Sequence, residues 1–300
     1  MKARRDHTLG YREGFKNVMA ESNPDREFEF TDADFERIRQ FVSEHTGIVL
    51  TEKKKDMVYG RLSKRIRRGG FDSYSAFIDA LDEGNEEERE FMINAITTNL
   101  TAFFREKHHF DFLKNTVIPQ LIRSKGQNKH LRIWSAGCST GEEPYSIAIT
   151  LKEALPDFDS WDVKILATDL DANVVAHGKA GIYRNDRLDG LDENRIKRWF
   201  KQGNGDNAER VKISAELQKM ITFKRLNLLH EWPMSGPFDF MFCRNVVIYF
   251  DKGTQRVLFD RYADILAPDA YLFIGHSETL FKVSSRFDSL GQTIYQKNSQ

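Results

Sequence analysis

The chain has 300 residues, about two domains' worth at roughly 150 residues each. Its 45 Lys and Arg balance 45 Asp and Glu, and zero net charge argues against a protein that grips a polyanion over its whole surface. Two cysteines, Cys138 and Cys243, exclude a disulfide framework, and neither has a second Cys or His at zinc-ligand spacing. Forty percent apolar residues, 23 Phe among them, are enough for real cores. The N-terminus lacks the apolar segment of a secretion signal, and no apolar run approaches the ~18 residues of a membrane span. A cytoplasmic protein without membrane insertion is expected.

Residues 1–30 carry mixed charge without periodicity and read as a flexible arm. Thr31 then reads as an N-cap with Asp34 as its capping acid. Phe35, Ile38 and Val42 follow at helical spacing, and Gly47 reads as the stop. Further helices are predicted from Glu52 to Arg68, from Ser73, and from Glu86 to Ala95. Residues 31–95 therefore form a helical domain, and 96–130 a linker with a helix. From 131 the pattern changes to strands at 131–138, 163–171, 221–228, 238–250 and 270–278, interleaved with helices at 142–155 and 255–266. That alternation predicts an α/β fold: a doubly wound, mostly parallel sheet over residues 131–300. Its tail, with a Leu-Gly turn, supplies an antiparallel edge strand. The stretch 183–220 is too long for a connection, and alternating Val211 and Ile213 after Asn204–Asn207 predict a small inserted β-subdomain.

In an open parallel sheet, ligands bind beyond the carboxyl ends of the strands. The first strand ends in Ser135-Ala136-Gly137-Cys138-Ser139-Thr140-Gly141-Glu142-Glu143-Pro144. Acids in the first turn of the next helix oppose a pyrophosphate there, and G-x-G-x-x-G is absent. Asp169, ending the second strand, either accepts ribose hydroxyls or joins Asp171 in capping the following helix. A glycine turn, Glu143 and Asp169 together suit a cationic nucleoside without phosphate, and S-adenosylmethionine has that chemistry.

Several segments then resemble the chemotaxis receptor methyltransferase family, CheR: TTNLTAFFREKHHF (97–110), IWSAGCSTGEEPYSIAITL (133–151), ATDLD (167–171), FCRNVVIYFD (242–251) and FIGHSE (273–278). The resemblance runs from about 28 to 296. It implies a class I, Rossmann-like methyltransferase that converts glutamate side chains of chemoreceptors to 5-O-methyl esters, yielding S-adenosylhomocysteine. It also implies roles: Asn99, Thr101 and Arg105 against the cofactor, Glu143 on its methionine part, Asp169 on its ribose, and Asn227, Leu228, Arg244 and Asn245 around adenine and floor. Arg105 and Tyr249 are expected at the reacting end. A glutamate is already a carboxylate at pH 7, so positioning rather than proton transfer is expected.

Taken alone, Arg244 and Asn245 also read as buried polar groups at a strand end, and Tyr249 as core. His108-His109 read as structural, and His276-x-Glu278 lacks the Pro-Cys-x-x-Cys of a zinc deaminase, so no metal is expected. The segment Lys53–Arg68 carries eight basic residues and one acid, with Arg61, Lys64, Arg65 and Arg68 on one face. That face predicts docking of an acidic partner. The resemblance implies the receptor's cytoplasmic helical bundle, with the β-subdomain gripping a receptor C-terminal peptide in some members. No aromatic platform for nucleic acid interrupts the basic face.

Overall fold

A computed structural model describes residues 26–298. Residues 1–25 of the expected arm lie outside them. The arm's last residues are part of the helical domain: Phe30 is buried, its ring 4.3 Å from Tyr74, and Arg26 sits 4.5 Å over Tyr59.

Helix α1 (Asp32–Thr46) opens on a capping box. Thr31 Oγ1 accepts the Asp34 N–H at 3.1 Å, and the Asp34 carboxylate accepts the Thr31 N–H at 2.9 Å. It stops at Gly47, whose φ of 71° is left-handed. Any Cβ there would lie 2.3 Å from Leu229 of the second domain, so this glycine also permits the domains to meet. A 3-10 turn (Glu52–Lys54) replaces the first turn of the second predicted helix, and α2 runs Lys55–Gly69. Helices α3 (Tyr74–Asp82) and α4 (Glu86–Ile96) begin at side-chain caps Ser73 and Asn85. All four bury one stripe, including Ile38, Val58, Leu62, Phe77 and Met92.

Helices α5 (Lys107–Phe112) and α6 (Ile118–Lys125), joined by a π turn, lead to β1 (His130–Ala136). Then come α7 (Glu142–Ala154), β2 (Asp162–Asp169) and α8 (Ala172–Ala180). The insertion holds β3 (Ile182–Arg184), α9 (Glu193–Trp199), β4 (Phe200–Gln202), β5 (Arg210–Ile213) and α10 (Ala215–Gln218). Its strands form a separate antiparallel sheet in the order β3-β5-β4, with Val211 and Ile213 turned inward. The chain returns through β6 (Ile221–Arg225), β7 (Phe238–Cys243), α11 (Lys252–Ile265), β8 (Leu266–Ile274), β9 (Phe287–Gly291) and β10 (Ile294–Lys297).

The main sheet has seven strands in the order β6-β2-β1-β7-β8-β10-β9. Five are parallel, and the β9–β10 hairpin closes one edge antiparallel. Side chains alternate between two cores: Ile133, Phe240 and Phe273 on one face, Trp134, Met241 and Leu272 on the other. A parallel sheet covered on both faces reads as near-continuous apolar runs, and every residue of β7 is buried. The strand order reverses between β1 and β7. Gly137 stands at that switch point, where a Cβ would lie 2.2 Å from Val246.

Three strands differ from expectation by three residues or more, among them the one predicted over 221–228, which ends at Arg225. The strand predicted over 238–250 ends at Cys243, because Asn245 takes a φ of 58° and 247–249 form a 3-10 turn. The strand predicted from 270 begins at Leu266, directly after α11, and carries Pro268 in its first half.

Candidate active site

A cleft of about 310 Å³ opens beyond the carboxyl ends of β1, β2 and β7, between the helical domain and the sheet. All ten residues expected at the cofactor or the reacting end line it: Asn99, Thr101, Arg105, Glu143, Asp169, Asn227, Leu228, Arg244, Asn245 and Tyr249. Thr46 and Ile48 join from the end of α1. The domains are tied there by Val49 N–H to Tyr249 O at 2.8 Å and Asn227 Nδ2 to His45 O at 2.8 Å.

The two aspartates after β2 separate their tasks. Asp171 caps α8, accepting from the Asn173 and Val174 N–H groups, and its other oxygen accepts from Thr97 Oγ1 and Asn99 Nδ2 at 2.9 Å. Asp169 is not a cap. Its carboxylate accepts the Ser139 N–H at 2.8 Å and the Asp171 N–H at 3.1 Å, and it faces the cleft. Burial pushes its carboxyl up to about 6. A half-buried carboxylate with spare lone pairs at this strand end suits paired hydroxyl donors.

Deeper, Glu143 and Arg244 form the charged floor. Glu143 accepts from Ser135 Oγ at 2.7 Å, and burial raises its carboxyl against the pull of Arg244, whose Nε lies 3.4 Å away. Arg244 donates Nη2 to Arg105 O at 2.7 Å, while its buried Nε and Nη1 lack a hydrogen-bond partner. Unsatisfied N–H groups beside a buried carboxylate match an amino-acid zwitterion, with ammonium toward Glu143 and carboxylate toward Arg244.

Three residues that the motifs did not single out as site residues brace the floor or the segments beside it. Glu106, itself at a φ of 57°, accepts from the His276 N–H at 3.2 Å and lies 2.9 Å from its Nδ1. Burial works to raise its carboxyl, but His276 and Arg244 hold it below the ordinary value. Glu278, read as half of a rejected zinc motif, gathers the N–H groups of Asn245, Val246, Ile248 and Gly275, which fixes the left-handed turn at Asn245. Arg187 reaches from the insertion to Thr101 O at 2.7 Å and to buried Glu142. His109 is structural: burial lowers its imidazole to about 4, and it packs against Phe273. Cys138 and Cys243 are buried, and burial pushes both thiols up.

The basic face of α2 divides. Arg61 donates to the carbonyls of Ala95 and Thr97, and Arg65 pairs with Glu87 and buried Glu88, so both bind α4. Lys64 and Arg68 are exposed. Among the described residues, no cluster of three or more His, Cys, Asp or Glu side chains is placed to hold a metal, and no helix is long and apolar enough to cross a membrane.

The chain matches two family models, the all-alpha domain of CheR methyltransferase over residues 33–97 and its SAM binding domain over 99–296. The chain belongs to the CheR methyltransferase family. Its cofactor is S-adenosylmethionine. "Chemotaxis protein methyltransferase 2" of Pseudomonas aeruginosa is 45% identical over 90% of this chain and 95% of its own length. The chemotaxis protein methyltransferases of Salmonella typhimurium and Escherichia coli are each 42% identical over 88% of this chain and 90–91% of theirs. With the family shown, the two-part architecture of an all-helical domain on a Rossmann-like methyltransferase is the family's own, and the cleft lies where its cofactor domain begins, at Asn99.

Proposed function

We propose that this methyltransferase esterifies glutamate side chains on the cytoplasmic helical bundle of chemoreceptors, giving glutamate 5-O-methyl esters and S-adenosylhomocysteine in chemotactic adaptation. The names of its relatives support the chemotaxis setting. The observation that carries the reaction is the cleft itself. Its two carboxylates, Asp169 and Glu143, are anchored by hydrogen bonds, while Arg105 and Tyr249 line it from the interdomain segment and from the turn after β7.

When bound, S-adenosylmethionine supplies a methyl group on a sulfonium, an electrophile that needs no further activation. Asp169 would hold its ribose hydroxyls, Glu143 and Arg244 its amino-acid end, and Asn227, Leu228 and Asn245 its adenine side. Asn99 and Thr101 close the cleft from the interdomain segment. The Arg105 guanidinium meets the incoming carboxylate, and the Tyr249 hydroxyl fixes its line of approach. No residue has to remove a proton, since the substrate is already an anion at pH 7. Holding the reactants in line and dry is worth up to about 7–11 kcal/mol in well-oriented systems.

Lys64 and Arg68 form the exposed part of the docking face on α2, and the insertion is the candidate grip for a receptor C-terminal peptide. Both would recruit a cytoplasmic enzyme to membrane-bound receptor arrays. The purified chain, incubated with S-adenosylmethionine and receptor-bearing membranes, should form S-adenosylhomocysteine in step with new glutamate esters on the receptor. Product formed equally well without receptor would contradict this function.

A further inference from the structure

The rim of the cleft carries an unusual residue. Leu100 is 75% exposed, the largest value among the exposed large hydrophobic residues described. It does not sit on a loose loop. On either side of it Ser139 Oγ donates to Asn99 O at 3.0 Å and Arg187 Nη2 to Thr101 O at 2.7 Å. Its own carbonyl accepts from Arg105 Nη1 at 2.7 Å, and the Asn99 side chain is held by Asp171. Three successive carbonyls and a neighbouring side chain are therefore fixed while the leucine side chain is turned to water. Ile248, 44% exposed, lines the same cleft, and Val49, 45% exposed, is tied by its N–H to the carbonyl of Tyr249. Leu100 and Ile248 thus line the cleft together with Arg105 and Tyr249, and Val49 is held beside Tyr249 by that main-chain bond.

Resting on the glutamate-methyltransferase reading, we propose that Leu100, with Ile248 and Val49, is a specificity surface for the residues flanking the target glutamate. Its occupant is a receptor helix with aliphatic side chains one turn from the methylated residue. A carboxylate presented to Arg105 from a helix brings its i±3 and i±4 neighbours to the rim on the same face. Burying a preordered leucine against them gains contact without the ordering cost of a mobile loop. The charge of Arg105 selects the carboxylate, and the apolar rim selects among carboxylates.

The test is steady-state methylation of receptor-bearing membranes, with receptor and enzyme changed together. Leu100→Ser should raise the KM for receptor about tenfold, equivalent to about 1.4 kcal/mol, whereas Leu100→Met should restore it. Calorimetric affinity for S-adenosylmethionine, measured in both because Leu100 also lines the cleft, should fall by less than the KM for receptor rises. Replacing the aliphatic residues one turn from a methylated glutamate by serine should raise KM for the wild type but add little to Leu100→Ser. An unchanged KM in Leu100→Ser, or receptor substitutions that penalise both enzymes equally, overturns the specificity surface alone. A wild-type enzyme that transfers no methyl group to receptor glutamates overturns the functional reading along with it.

Discussion

Arg244, at the end of β7, donates a hydrogen bond to the main-chain carbonyl of Arg105, 139 positions earlier in the chain, at 2.7 Å. The same guanidinium stands 3.4 Å from Glu143 and 3.6 Å from Glu106, so one buried cation fixes both the cofactor floor and the arginine expected at the reacting end. Removing it should leave buried Glu143 without its cation and the Glu106 carboxylate with only its hydrogen bonds to His276. Arg244→Ala is therefore expected to lose about 3–5 kcal/mol of stability, read by urea denaturation. Arg244→Lys keeps the charge but not the fork, and should recover stability while turnover stays low.

Asp169 sets the expected pH dependence. Burial raises its carboxyl to about 6, and only the ionised form accepts two hydroxyl hydrogen bonds. Affinity for S-adenosylmethionine should be level above pH 6 and fall by up to about tenfold per unit below it, measured by calorimetry. For the unliganded protein the sign is opposite. A carboxyl raised on folding binds its proton more tightly in the native state, so this group's contribution to stability grows as pH falls from about 6 toward 4. Asp169→Asn should weaken cofactor binding at pH 7 and remove the pH slope.

Tyr249→Phe should lower turnover with little change in cofactor affinity, because the role proposed for its hydroxyl lies with the approaching substrate. Arg105→Ala should lower turnover and also weaken the cofactor. Single-turnover kinetics beside calorimetry separate the two effects.

Much of this site was legible because its parts fall at the ends of apolar runs. Ser135–Pro144 and Asp169 stand at the ends of β1 and β2, where the period of the chain itself marks the sheet's carboxyl edge. The capping box at Thr31 and Asp34 and the alternation at Val211 and Ile213 are likewise local signals. Glu106, Glu278 and Arg187 were not legible as site residues. The most distant partner of Glu278, Arg187 and Glu106 lies 33, 86 and 170 positions away, which neither spacing nor periodicity encodes. Arg61 and Arg65 share a helical face with Lys64 and Arg68, but only packing against α4 shows that the first two are engaged within the domain.

That division yields a prediction for the basic helix. Arg65→Ala leaves buried Glu88 without its partner and should lower the melting temperature. Lys64→Glu with Arg68→Glu should leave the melting temperature close to that of the wild type. It should raise the KM for receptor, with a smaller penalty at high salt.

Arg187→Ala should act at a distance from the chemistry. It removes the donor to Thr101 O and unpairs buried Glu142. The expected result is a several-fold higher KM for S-adenosylmethionine, together with a loss of about 1–3 kcal/mol in stability, seen in initial rates and thermal melts.

The most direct measurement follows the methyl group. Receptor-bearing membranes incubated with this protein and methyl-labelled S-adenosylmethionine should carry label that mild base releases as volatile methanol, as carboxyl esters do, and Arg105→Ala should transfer far less. Label that withstands base, as on a nitrogen, or that appears on nucleic acid instead of receptor, would contradict glutamate esterification at this cleft.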